Sequence, residues 1–135
     1  MTEATVAAII YKDKKFLLVK RRFEPFKGRW SLPGGHIDGF EIAKYAVKRE
    51  VKEETNLEFE PVFLNYYDEI IRAEGWHAVV LAYHGKFKGE EKVNEKDVEQ
   101  VKWFTIDETK RLHMAFFHKE IIMNFLKHEV GEGNY

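Results

Sequence analysis

The sequence predicts an α+β fold, a mixed β-sheet sandwiched between helices (α/β/α). Three observations carry that reading. Apolar runs with strand character fall in two groups, one before and one after a helical segment, with a second helix closing the order. That order does not alternate as a doubly wound sheet would. The helical segments near 40–55 and 114–127 each carry an apolar stripe to lay against a core. At 135 residues, without internal repeat or linker, residues 1–135 make a single domain. Such a domain buries roughly two thirds of its unfolded surface, enough for a core without staples.

The elements follow in order. Thr5–Tyr11 reads as a strand, Lys12–Lys15 as a turn, and Phe16–Lys20 as the returning arm of a hairpin. Residues 22–29, with Pro25 and Gly28, form a loop, and Trp30–Leu32 a short strand stopped by Pro33 and two glycines. In 40–55, Ala43, Val47 and Val51 recur every four positions. Pro61 precedes a strand through Tyr67, the 73–75 turn follows, and Trp76–Tyr83 is apolar enough for a central strand. Gly85–Asp97 is polar and reads as a loop; Val98–Phe104 is another strand. Thr105 and Glu108 make a capping box for a short helix. Met114–Lys127 is the second long helix, with Phe117, Ile121 and Phe125 on its inner stripe and Gly131 at its end.

Composition removes several function classes. The net charge is −1, from 22 basic and 23 acidic side chains, which argues against binding a nucleic-acid polymer but not a small anion. There is no cysteine, so disulfides, thiol chemistry and cysteine-ligated zinc are excluded. No run approaches the ~20 apolar residues of a membrane span. The N-terminus has no basic region ahead of its apolar run and reads as mature cytoplasmic sequence.

The helix over 40–55 holds the densest chemistry. Glu50, Glu53 and Glu54 fall within an arc of about 100° on a helical wheel, with small Ala46 inside it. Crowding three carboxylates costs repulsion that a cation offsets. Hard ions such as Mg²⁺ or Mn²⁺ favour such oxygens and meet substrate phosphates directly. Arg49 reaches Glu53 at i+4 and could hold it in one rotamer, and Glu41 near the helix start suits the helix dipole. The bland alternative is a solvated face, since Lys44, Lys48, Arg49 and Lys52 are interspersed. His36 has no partner at metal-ligand spacing and reads first as structural.

Gly35 is followed after five residues by Glu41 and after seven more by Arg49-Glu50, then Val51, Lys52, Glu53-Glu54 and, after Asn56, Leu57. This pattern resembles the Nudix hydrolase family motif, and with the Trp30–Gly35 approach and the strand order the resemblance covers nearly the whole chain. Asn56 stands where the motif has its last glycine; asparagine also tolerates the left-handed conformation such a helix end requires. The resemblance implies a Mg²⁺-dependent hydrolase, with Mn²⁺ as a substitute, cleaving a nucleoside diphosphate linked to another moiety. It implies metal ligation by Glu50, Glu54, Glu53 and the Gly35 carbonyl. Catalysis would fall to Glu53, Arg49 and Glu50, with the base either Glu53 or a later acid, Glu95, Asp97 or Glu99.

The rest of the substrate has several candidate holders. Arg21, Arg22, Lys27 and Arg29 surround the loop before the glycines, where arginine could grip phosphate bidentately. Phe23 and Phe26 on that loop, or Tyr66, Tyr67 and Trp76, are planar groups that could stack a base. Glu99 resembles the base-recognising acid of 8-oxo-purine triphosphatases. The Arg22–Gly35 stretch resembles small ADP-ribose or nucleotide-sugar pyrophosphatases, but the downstream proline that marks the ADP-ribose enzymes would fall at Ile71. ADP-ribose or a nucleotide sugar is therefore the preferred expectation. A MutT-like triphosphate pyrophosphatase acting on oxidised dNTPs and a catalytically silent nucleotide-binding module are the alternatives. The silent module predicts a broken carboxylate set, which this chain does not have. Phe87 and Phe116, expected to be exposed, could form the two-fold interface of a homodimer.

Overall fold

The first apolar run is buried on both faces and becomes the centre of the fold. A computed structural model describes residues 1–131. Strand β1 (Glu3–Ile9) sits between β5 (Gly34–His36), antiparallel to it, and β7 (Trp76–Lys88), parallel to it. Strand β6 (Glu58–Ile71) pairs antiparallel with β7 and closes this mixed sheet in the order β5-β1-β7-β6. A second, antiparallel sheet has β3 (Lys15–Arg21) between β8 (Val98–Thr105) on one edge and β2 (Tyr11–Lys12) and β4 (Trp30–Ser31) on the other. The expected mixed sheet is present, and the hairpin after Tyr11 hands the chain to a sheet of its own.

Alternation along β1 divides the core. Val6, Ala8 and Ile10 face helix α1 (Ala43–Thr55) and its Ala46, Val47 and Val51. Ala7 and Ile9 face the other side, with Phe16, Leu18, Val80 and the Ile121, Ile122 and Phe125 of helix α3 (His118–Phe125). Burying each such aliphatic side chain contributes about 1.5–3 kcal/mol. The helix–sheet–helix layering thus follows from the unbroken apolar run 6–10, buried on both faces.

Boundaries moved where tertiary partners overrode local signals. Helix α1 starts at Ala43 rather than 40, because Phe40 has a φ of 64° and Ile42 is the N-cap. Its end matches the asparagine argument: Asn56 has a φ of 70° and donates its N–H to Lys52 O at 3.0 Å. Strand β6 runs through Pro61 instead of starting after it, which an edge strand tolerates. Strand β7 continues to Lys88, so the polar loop begins four residues later than expected. Lys88 lies opposite Glu58 and Lys86 opposite Glu60, a cross-strand charge match that polarity alone did not reveal. Helix α3 starts at His118 rather than Met114, because Met114 bridges to Trp30 and the Ala115 N–H bonds Trp30 O at 2.9 Å. A π-helical turn, Leu126–Val130, extends it to Gly131. The short helix α2 (Ile106–Arg111) has the expected capping box, with the Glu108 N–H on Thr105 Oγ1 at 3.1 Å. Phe87 and Phe116 are corrections: neither is exposed, since Phe87 packs on Trp103 and Phe116 on Phe26, Trp76 and His118.

One side-chain bond ties α3 to the loop that carries the glycines. The Leu32 N–H donates to Nδ1 of buried His118 at 3.0 Å. Burial, with the Arg21 charge nearby, pulls the His118 pKa down to about 3. The unfolded imidazole titrates near 6.5. The folded state therefore takes up its proton later than the unfolded state, and stability present above about pH 6.5 is lost as pH falls towards 3. His118→Asn keeps an acceptor for Leu32 but removes the titration. In urea unfolding at pH 7 and pH 4.5, the variant should lose less stability between the two than the wild-type protein does; equal losses would contradict this role.

Candidate active site

A close backbone approach sets the position of the glycine pair. A Cβ on Gly34 would lie 2.1 Å from Val6 O, so only glycine lets β5 lie this close to β1. At Gly35 a Cβ would meet Glu50 Oε1 at 2.6 Å, so the missing side chain leaves the space that the Glu50 carboxylate fills. The Gly34 N–H donates to Glu54 Oε1 at 2.8 Å. The two glycines thus bind α1 through its own glutamates.

Arg49 organises the rest of the helix face. Its Nε donates to Glu41 Oε2 at 2.8 Å and its Nη2 to Glu41 Oε1 at 3.0 Å, a bidentate pair. Nη1 reaches Glu50 at 2.9 Å and Glu53 at 3.2 Å, and Nη2 also reaches the His36 carbonyl at 3.1 Å and Asp38 at 3.4 Å. Glu41 lies outside α1, so it serves this clamp rather than the helix dipole. The Arg49 hydrogen bond is the main reason Glu41 titrates below the usual carboxylate range.

The two inner glutamates, Glu50 and Glu54, shift the opposite way from Glu41. Burial pushes Glu50 up to about 7, against the lowering pull of Arg49. Burial also raises Glu54, and the neighbouring Glu50 charge raises it further, while the Gly34 N–H and Arg21 pull it down. This is the signature of carboxylates sharing a site with too little positive charge. Glu53 is more exposed and turned towards Arg49. Among the described residues no group of three or more Asp, Glu, His or Cys side chains is gathered in ligating geometry. The chemistry of the donors nonetheless fits a hard divalent cation: Glu50 lies against Gly35, Glu54 is bonded to Gly34, and the two carboxylates are close enough for the Glu50 charge to raise Glu54.

Of the expected metal ligands, Gly35 and Glu50 but not Glu53 or Glu54 line a cavity of about 400 Å³, within the roughly 300–1,000 Å³ of small-molecule sites. Gly34, Gly35, Asp38 and Glu50 line one part of it; Glu69, Trp76, Phe116 and His118 line another. Of the predicted cations only Arg21 lines this cavity, its Nε held by Pro25 O at 2.7 Å and its guanidinium 4.8 Å from the Phe116 ring. Arg22, Arg29, Phe26 and Glu99 are not on its wall. Arg22 Nε is buried without a hydrogen-bond partner, Arg29 stacks on Phe26, and Glu99 sits 4.0 Å from Lys20. Of the later acids, Asp97 comes near enough to raise the Glu54 pKa, whereas Glu95 lies exposed in the loop. His36 pairs with Glu3 at 3.2 Å and also edges the cavity.

Sequence reasoning missed Glu69 and His118. Each left a signal: His118 interrupts the apolar stripe it shares with Ile121, Ile122 and Phe125, and Glu69 occupies a core-facing position of β6 with only 1% exposure.

A family model of the NUDIX domain matches residues 1–125. The chain is 34% identical over 127 residues to the ADP-ribose pyrophosphatase of Methanocaldococcus jannaschii, covering 93% of this chain and 74% of that protein. The crystal structure of a MutT NUDIX hydrolase from Burkholderia pseudomallei superposes with a TM-score of 0.74 at 35% identity, over 80% of this chain and 86% of that one. The NUDIX domain of Shewanella oneidensis NrtR, complexed with ADP ribose, superposes with a TM-score of 0.81 at 28% identity, over 91% and 85%. No helix among the described residues is long and apolar enough to cross a membrane. The chain belongs to the Nudix hydrolase family, whose motif spans the glycine pair and the glutamates of α1.

Proposed function

We propose that this chain hydrolyses the pyrophosphate bond of a nucleoside diphosphate linked to another moiety, ADP-ribose or a nucleotide sugar. The observation that carries the reading is the cavity that joins the Gly35–Glu50 contact to the Arg21 guanidinium and the Trp76 and Phe116 rings. It offers carboxylates, a cation for phosphate and aromatic walls in one space. Similarity to the M. jannaschii protein and to the ADP-ribose-bound NrtR domain supports the same substrate class.

Glu50, Glu54, Glu53 and the Gly35 carbonyl would hold Mg²⁺, or Mn²⁺ in its place. The ion, when bound, neutralises the diphosphate and lowers the pKa of a water. The chain's own residues do the rest. Arg49 fixes the rotamers of Glu50 and Glu53. Glu54, tethered to Gly34, keeps one oxygen free of that bond. Arg21 draws the diphosphate into the cavity and spreads its charge. Glu53 takes a proton from water as the water oxygen bonds to phosphorus, and the bridging oxygen departs on the other phosphate. Asp97 is the second choice of base, from its proximity to Glu54.

Likeness to the B. pseudomallei MutT structure favours a second reading, hydrolysis of a nucleoside triphosphate. A hydrolysis screen in Mg²⁺ and Mn²⁺ separates the two. The proposal expects ADP-ribose or a nucleotide sugar to yield a nucleoside monophosphate and a sugar phosphate. Turnover of oxidised dNTPs alone would overturn it, and absence of all turnover would support a silent binding module. Replacing Glu53 with Gln should cut turnover by at least about 100-fold, the scale of a positioned base or ligand, with the thermal unfolding midpoint unchanged. A fully active E53Q protein would remove Glu53 from the mechanism.

A further inference from the structure

Glu69, Trp76, Phe116 and His118 line the cavity, yet the proposed chemistry uses neither the carboxylate nor the imidazole. Their geometry is fixed from behind. Glu69 Oε1 accepts the Trp76 indole N–H at 2.9 Å, and Oε2 accepts the Phe117 backbone N–H at 3.0 Å. Each oxygen keeps a second lone pair. His118 Nδ1 accepts the Leu32 N–H at 3.0 Å, so the ring proton of the neutral imidazole resides on Nε2. Burial keeps that imidazole neutral at physiological pH, which makes Nε2 a donor there. Nε2 lies 4.0 Å from Glu69 Oε2, beyond direct hydrogen-bond range. Donor and acceptor thus stand side by side without satisfying each other. The Trp76 and Phe116 rings, 5.1 Å apart and tilted 48° to each other, form an apolar wall of the same cavity. Burial pushes the Glu69 carboxyl above the usual carboxylate range, against the pull of the Phe117 and Trp76 N–H donors.

We propose that Glu69 and His118 read the base of the substrate, His118 Nε2–H donating to a ring nitrogen and Glu69 accepting from an adjacent amino group. The inference rests on the nucleotide reading of the cavity and narrows it to bases with an acceptor beside a donor, such as the amidine edge of adenine. Trp76 and Phe116 supply the wall along which the ring lies, and the diphosphate then extends towards Arg21 and Glu50.

Binding of monophosphates measures this without turnover. AMP and purine riboside 5′-monophosphate differ only in the exocyclic amino group, so calorimetric titration of both isolates the Glu69 contact. Wild-type protein should bind AMP about 10–100-fold more tightly, the scale of a hydrogen bond to a charged group, and Glu69→Gln should shrink that preference towards unity. His118→Asn, which keeps the Leu32 acceptor but loses the Nε2 donor, should weaken AMP about tenfold. His118→Gln, with an N–H at the Nε2 position, should recover part of that loss. Equal affinity of wild-type protein for the two monophosphates, or no AMP binding in a protein that cleaves ADP-ribose, would overturn the inference. Selection that follows the ribose hydroxyls, read from 2′-deoxy-AMP, would also overturn it. A protein that prefers AMP but cleaves no diphosphate would instead overturn the proposed reaction and leave the base assignment standing.

Discussion

The Arg49 guanidinium is the constraint on which the site depends. It touches Glu41, Glu50, Glu53, Asp38 and the His36 carbonyl, groups drawn from α1, the loop before it and β5. Four carboxylates, two on α1 and two from the loop before it, would repel one another and splay. A planar fork with five N–H donors can hold them in one arrangement, which a lysine ammonium cannot reproduce. Because Glu41 binds it bidentately from outside the helix, Arg49 also fixes the angle at which the chain enters α1.

The glycines complete what the arginine starts. Gly34 brings β5 against β1 and gives its N–H to Glu54; Gly35 clears the space that Glu50 fills. Core and site are therefore continuous. Val47 and Val51 seat α1 on β1 from one side, and Glu50 of the same helix lines the cavity. The raised pKa values of Glu50 and Glu54 follow from this geometry, since carboxylates pressed against backbone lose water faster than they gain counter-charge. A divalent ion is the natural complement of that imbalance.

The site's spine was legible in the sequence because it is local. Gly35, Glu41, Arg49, Glu50, Glu53 and Glu54 keep their spacing on one strand–loop–helix unit, and the helix end at Asn56 follows from the conformation asparagine tolerates. The capping box at Thr105 is local too. What escaped notice is long-range. The extension of β7 to Lys88 depends on Glu58 and Glu60 across the sheet. The start of α3 depends on Trp30, far away in the chain. The Glu69–His118 pair joins residues almost fifty positions apart, and each alone reads as an oddity in an apolar pattern. Loop cations were hardest to sort. Arg21, Arg22 and Arg29 look alike in sequence, yet the bend that ties Arg21 to Pro25 sends only that one into the cavity.

The central claim is that the α1 glutamates are a divalent-metal site, and titration of the protein with Mn²⁺ followed by electron paramagnetic resonance tests it most directly. Saturable Mn²⁺ binding by the wild-type protein, displaced by Mg²⁺ and lost in Glu54→Gln with the fold retained, is the predicted result. Undiminished Mn²⁺ binding in that variant, or no saturable binding in the wild-type protein, would contradict the account.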